Sequence, residues 1–283
     1  MTNFLLVNFV ANKQDQAGAR LLARTIEMLK IKIIAIKITE FIKINNGFLL
    51  WTGSLINLTF FLSINFVNSE KLDTKNYKKS LKSSDAILVP GGFGNRGIEG
   101  MVLAAKYARE SKTPYFGICL GLQIAIIEMT RSLLKLKDAN STEFKKRVKN
   151  NVISLVTEWK NEDGTIEKRN HKSDKGGTMR LGAQAAFLKN GTLARSLYKK
   201  SSIFERHRHR YEVNPSYVPK LENHGLVVSA RSELHNLVEM IELKNHPWFV
   251  ACQFHPEFTS KPKKGHPLFN DFIKAAELKR VKK

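Results

Sequence analysis

Cysteine is scarce in this chain. Two residues among 283, Cys119 and Cys252, cannot make a disulfide framework. They fit a reducing, cytoplasmic compartment, where thiols are buried or catalytic. Acidic residues are also few: 25 Asp and Glu stand against 47 Lys and Arg, a formal net charge of +22. That excess admits an electrostatic nucleic-acid footprint, but no RNP, zinc-finger or basic-zipper pattern accompanies it. The basic residues are scattered in short clusters such as Lys145-Lys146-Arg147 and Lys199-Lys200. A lysine-biased composition spread over solvated faces explains them, and no nucleic-acid partner is expected. No G-x-x-x-x-G-K-[ST] phosphate loop occurs. There is no internal repeat, and Met1 to Val10 lacks the basic start and small-residue cleavage site of a signal peptide. Charge is missing altogether from residues 44–69. The stretch is long enough for a membrane span, which needs about 20 apolar residues. Asn45, Asn46, Asn57, Asn65 and Asn68 interrupt it, so a loop followed by a buried strand over Ser63 to Val67 is the expectation.

What remains is an ordinary globular composition, 42% hydrophobic and 25% charged. Its length suits one large domain or two small ones. Residues 18–30 read as a helix and Ile33 to Ile38 as a strand. Asp85 to Val89 is a short apolar run entering Pro90-Gly91-Gly92, hence a buried parallel strand. Ile98 to Arg109 has helical spacing, Pro114 to Ile118 is strand-like, and Leu120 to Thr130 is helical again. Alternating strands and helices imply an open α/β sheet, mostly parallel, with helices on both faces and a small antiparallel strand addition. Further strands are expected over Val152 to Trp159, Ile203 to Val213, Leu237 to Leu243 and Trp248 to Phe254. A closing helix is expected over Leu268 to Leu278.

Three motifs fall at the carboxyl ends of these strands, where open α/β sheets place their sites. The first is Gly117-Ile118-Cys119-Leu120-Gly121. A sharp strand-to-helix turn between small residues exposes a nucleophile, and the helix N-terminus behind it favours thiolate. A buried structural cysteine is the plainer alternative. The second is His255-Pro256-Glu257. On an extended chain, residues i and i+2 face one side, so Glu257 can orient His255 and complete a nucleophile–base–orienter relay. A lone His at a strand end is the competing reading. The third is Pro90-Gly91-Gly92-Phe93-Gly94, whose backbone N–H groups can form an oxyanion hole or, less well without a following Lys-Ser/Thr, a phosphate cradle. Alternation along Arg206-His207-Arg208-His209-Arg210 puts the arginines on one face and the histidines on the other. Cys252 reads as a buried strand thiol.

Taken together, the three motifs resemble the class I, or triad, glutamine amidotransferase domain. More narrowly, the chain is similar to the glutaminase domain of CTP synthases. The narrower likeness rests on Asp85 to Gly100, Tyr115 to Gln123, Asp138 to Phe144, Gly176 to Gln184, Glu205 to Asn214 and His246 to Ser260. It covers about residues 64–278 and leaves 1–63 as a divergent N-terminal segment.

The resemblance implies a Cys119, His255 and Glu257 triad acting on L-glutamine. It implies an oxyanion hole from Gly92, Phe93 and Leu120. Glutamine contacts would come from Gly92, Leu120, Gly121, Leu122, Gln123, Glu143 and Arg210, and Arg180 would belong to the response to a GTP activator. A zwitterionic substrate wants a carboxylate for its ammonium and a guanidinium for its carboxylate. Glu143 and Arg210 offer one of each.

No cofactor or metal is expected in this chain. ATP, Mg2+, UTP and GTP would belong to the complete enzyme. The synthetase half that aminates UTP resembles nothing in these residues, so it would be a partner domain or chain, and oligomerisation would come with it. Two alternatives keep different chemistry: an idle regulatory subunit docking on a synthetase, and a γ-glutamyl hydrolase using the same triad.

Overall fold

The structure, a computed structural model, describes residues 64–155 and 179–281 apart from positions 146, 234 and 262–264. For 9–11, 34–42, 58–63, 158–160 and 166–168 it describes the backbone path. The expected helix over 18–30 and residues 44–57 of the uncharged stretch lie outside the described residues.

One ten-stranded sheet organises the fold. In chain order its first strands are β1 (Phe9–Ala11), β2 (Ile34–Ile42), β3 (Leu58–Phe66), β4 (Ala86–Val89) and β5 (Tyr115–Ile118). Two short strands, β6 (Asn140–Ser141) and β7 (Asn151–Leu155), form a separate small sheet with a third introduced below, and β8 (Glu158–Lys160) pairs only with β9 (Ile166–Lys168). The main sheet resumes with β10 (Arg180–Leu188) and β11 (Ser202–His209). The strand β12 (Tyr211–Val213) joins β7. The last three strands, β13 (Leu226–Ser232), β14 (Val238–Leu243) and β15 (Phe249–Cys252), return to the main sheet. Its order is β1-β3-β2-β4-β5-β15-β14-β13-β10-β11.

The α/β fold with helices on both faces is as expected. Parallel pairing occupies the centre, β4 with β5 and β5 with β15. Both flanks are antiparallel, so the antiparallel portion is larger than the small addition expected from the sequence. The single strand expected over Ile203 to Val213 breaks at Arg210 into β11 and β12, which belong to different sheets. The one expected over Val152 to Trp159 is carried by β7 through Leu155 and by β8 from Glu158, which also belong to different sheets. β10 and β13 have no counterpart among the expected strands. Both carry mixed burial rather than a continuous apolar run.

Residues alternate cleanly across the central strands. Ile87, Val89, Tyr115, Phe249 and Ala251 face one core, while Ala86, Leu88, Phe116, Val250 and Cys252 face the other. The period of two along each strand feeds two apolar layers. The first layer is covered by α1 (Tyr77–Leu81), α2 (Ile98–Ser111) and α3 (Leu120–Leu133). The second is covered by α4 (Leu193–Tyr198) and, after the short α5 (Val218–Glu222), by α6 (Pro267–Val281). Phe116 packs edge-on against Trp248 and Phe269, with ring centroids 5.6 and 5.2 Å apart. Such pairs add about 0.5–1.5 kcal/mol each to the burial of their area.

The 58–66 part of the uncharged stretch 44–69 is therefore accounted for. β3 carries it as a strand paired with β2 and β1. Among the described residues no helix is long and apolar enough to cross a membrane. The 63/64 boundary falls inside β3, and β2 pairs directly with β4 in the main sheet.

Candidate active site

Cys119 occupies the single-residue joint between β5 and α3. Its φ of 50° and ψ of −98° are a conformation that side chains larger than glycine resist. Neighbouring contacts force it. The Cys119 N–H donates to the Cys252 carbonyl at 2.7 Å, tying the joint to the end of β15. Gly121 packs so closely on β4 that a Cβ there would collide with the Val89 carbonyl oxygen. Cys119 is 2% exposed and sits at the N-terminus of a 14-residue helix, whose first N–H groups have no partner within the helix.

His255 and Glu257 follow β15. His255 Nδ1 lies 2.7 Å from Glu257 Oε1, and both residues are buried. The contact expected between them is present, but the backbone reason is different. Pro256–Phe258 form a 3-10 turn rather than an extended chain, and the turn folds Glu257 back onto the ring. The His255 N–H donates to the Arg206 carbonyl at 2.8 Å, which fixes the turn against β11. His255 Nε2 is buried with no oxygen or nitrogen partner. Burial alone would lower the pKa of this imidazole; hydrogen bonds to Cys119 and Glu257, with their charges, overcome it and raise it to about 10. A side chain on Gly91 would meet the His255 ring, with Cε1 2.6 Å from its Cβ. That close approach is what the glycine allows.

A cavity of about 420 Å³ opens beside the thiol. Of the residues expected at the site, Gly92, Phe93, Cys119, Gln123, Glu143 and Arg210 line it. Leu120, Gly121 and Leu122 do not: they are the buried first turn of α3. Gly92 lies against Leu120, since a Cβ on Gly92 would stand 3.2 Å from Leu120 Cδ2. The Leu120 side chain thus touches the Gly92 loop expected to share an oxyanion with it.

Opposite them, Gln123 Nε2 donates to the Tyr211 carbonyl at 3.1 Å. Glu143 Oε1 accepts from the Gly94 N–H at 3.1 Å. Arg210 stands at the break between β11 and β12, and its buried Nε has no protein partner. Burial, then the Glu143 charge, raise the Tyr211 phenol, while Arg210 opposes them. The two charges therefore act on one small space.

Arg180 is elsewhere. It is 3% exposed, with Nη1 2.9 Å from Glu212 Oε1, Nη2 2.6 Å from Glu239 Oε1 and Nε donating to Gln184. His207 and His209 complete that buried cluster, 3.0 Å from each other. The alternation holds here: Arg206 and Arg208 are exposed while His207 and His209 are buried. Cys252 is a buried thiol whose pKa burial pushes well up. Met179, Leu155, Arg208 and Tyr211 also line the cavity. Of these, Met179, Arg208 and Tyr211 fall in stretches that carried the resemblance, Gly176 to Gln184 and Glu205 to Asn214, while Leu155 does not. Among the described residues no group of three or more His, Cys, Asp or Glu is placed to hold a metal ion.

A family model for class I glutamine amidotransferases matches residues 54–275. The chain belongs to the class I glutamine amidotransferases. Among solved structures, this amidotransferase is similar to the glutaminase domain of a Trypanosoma brucei CTPS with bound acivicin. The identity is 37%, the match covers 76% of this chain and 80% of that one, and the TM-score is 0.67. A Thermoplasma acidophilum protein described as a putative GMP synthase component is 17% identical, with 77% and 82% of the two chains covered and a TM-score of 0.48.

Proposed function

We propose that this amidotransferase is a glutaminase that releases ammonia from L-glutamine and supplies it to a separate synthetase domain or chain for the ATP-dependent amination of UTP to CTP. The single observation that carries the hydrolytic step is Cys119 on its strained joint beside a His255 bonded to Glu257. The likeness to a CTPS glutaminase domain supports the acceptor.

In the reaction, the Cys119 sulfur attacks the side-chain amide carbon of glutamine. The carbonyl oxygen takes up negative charge against the N–H groups of Leu120 and of the Gly92-Phe93 loop. His255, held as a cation by Glu257, gives a proton to the departing nitrogen, the C–N bond breaks and ammonia leaves. Water, deprotonated by His255, then attacks the glutamyl thioester. The C–S bond breaks, glutamate leaves and Cys119 returns. Arg210 takes the substrate carboxylate through its unpartnered Nε, and Glu143 takes the ammonium.

The test is exposure of the purified chain to a glutamine-mimicking electrophile, with free glutamine as competitor, followed by peptide mass spectrometry. A single adduct on Cys119 that glutamine blocks is expected. Equal labelling of Cys119 and Cys252, or no adduct, would instead favour an idle subunit that docks on a synthetase. Equal turnover of γ-glutamyl peptides and glutamine would favour a γ-glutamyl hydrolase.

A further inference from the structure

One buried polar side chain beside the thiol takes no part in the reaction above. Gln253 is completely buried, two residues before His255. Its Nε2 lies 3.7 Å from Cys119 Sγ, and its Oε1 is buried with no partner. A buried amide with an orphaned end carries a desolvation cost, so a core position would be better served by an apolar side chain unless the amide does something there. The orientation is the less costly one. Turning the amide over would leave both of its N–H donors without a partner, where this orientation places one of them on the sulfur.

The backbone fixes the arrangement. Gln253 N–H donates to the Glu239 carbonyl at 2.8 Å and His255 N–H to the Arg206 carbonyl at 2.8 Å, while the preceding Cys252 carbonyl holds the Cys119 N–H. The chain after β15 therefore presents Gln253 and His255 to the same sulfur.

We infer that Gln253 is a further catalytic residue, an amide N–H donor that holds the Cys119 sulfur as thiolate before attack and receives it again when water displaces it from the thioester. Only a donor end suits a thiolate, which accepts and cannot donate, and a hydrogen bond to an ionised acceptor is stronger than one between neutral groups. The inference rests on the glutaminase reading for its purpose, but its test needs no turnover.

The experiment is the pH profile of Cys119 alkylation by iodoacetamide, followed by peptide mapping, in wild type and Gln253→Met. Because the methionine fills the space without burying an amide, Gln253→Met should keep or raise the thermal midpoint. Its Cys119 alkylation at about pH 6 should fall about ten-fold, and the profile should move to higher pH. Glutamine hydrolysis should lose kcat with KM unchanged. A purely structural Gln253 would do the reverse, lowering the melting point and leaving the profile in place. Superimposable profiles overturn the inference. If Gln253→Met does not fold, Gln253→Asn, which retracts the amide by one methylene, and Gln253→Glu, which replaces the donor with oxygen, carry the same comparison, and an unmoved profile in either overturns it. Should wild-type Cys119 alkylate no faster than glutathione at about pH 6, both this inference and the glutaminase reading fall. An activated wild-type thiol that is unaffected by every Gln253 variant removes this inference alone.

Discussion

At the scale of single residues, the roles of Glu257 and Arg210 separate cleanly by kinetics. Glu257 touches His255 and not the cavity, so Glu257→Gln keeps the shape but removes the charge that holds the imidazolium. Loss of proper acid–base function costs about 10²–10⁴-fold. Glutaminase kcat should fall by at least the lower figure with KM for glutamine little changed; an unchanged kcat would deny Glu257 its role. Arg210→Lys should do the opposite. A lysine brings charge without a planar fork, so KM for glutamine should rise about ten-fold with a smaller effect on kcat, as initial-rate measurements over glutamine concentration would show. Equal loss of both parameters would mean that Arg210 shapes the site rather than binding substrate.

At the scale of elements, the joint between β5 and α3 is the critical piece. The helix can begin directly after Cys119 only because Gly121 packs against β4 without a side chain. Overpacking a close contact costs about 1–3 kcal/mol. Gly121→Val should therefore shift the denaturant midpoint downward and shift Cys119 off its joint, abolishing electrophile labelling even at temperatures where the fold survives. Normal labelling in this variant would show that the joint tolerates movement. The break between β11 and β12 is a second such piece. Residues 202–209 serve the main sheet and Tyr211–Val213 the small one, so Arg210 is turned out where the chain changes sheets. A continuous strand, the expectation from alternation, would have left Arg210 on the same solvent-facing row as Arg206 and Arg208.

At the scale of the whole molecule, pH acts on stability from both sides. Burial, above all, lowers His207 to about 2 and His246 to about 4. The unfolded chain protonates the same rings below about 6.5. On acidification the unfolded state binds more protons, so stability falls as pH drops from about 6.5 through 4. His255 works with the opposite sign. Its pKa is raised to about 10, so its contribution is complete below about 6.5 and is lost as pH rises through about 10. The thermal midpoint should be highest near neutrality and fall on both limbs. His255→Gln should flatten the alkaline limb and His246→Gln the acid one, as read by melts across a pH series. A midpoint that rises steadily above neutral pH would contradict this assignment.

The sequence by itself determined the central layers and marked the residues with reactive side chains. Continuous apolar runs at Ala86–Val89 and Tyr115–Ile118, each followed by a helix, can be buried on both faces in only one way. Cysteine between glycines and a His-Pro-Glu turn carry their reactivity in their own atoms. Tertiary structure alone decided what depends on residues far apart in the chain. It put Arg180 into a buried cluster with Glu212 and Glu239, which lie 32 and 59 residues away. It set β10 and β13 into the sheet although their patterns are mixed, because antiparallel partners supply hydrogen bonds that propensity does not predict. It also aimed the Gln253 amide at Cys119, 134 residues distant. Local pattern records which groups can react or be buried. Their mutual distances are set by pairing and packing, to which each residue contributes only through its partners.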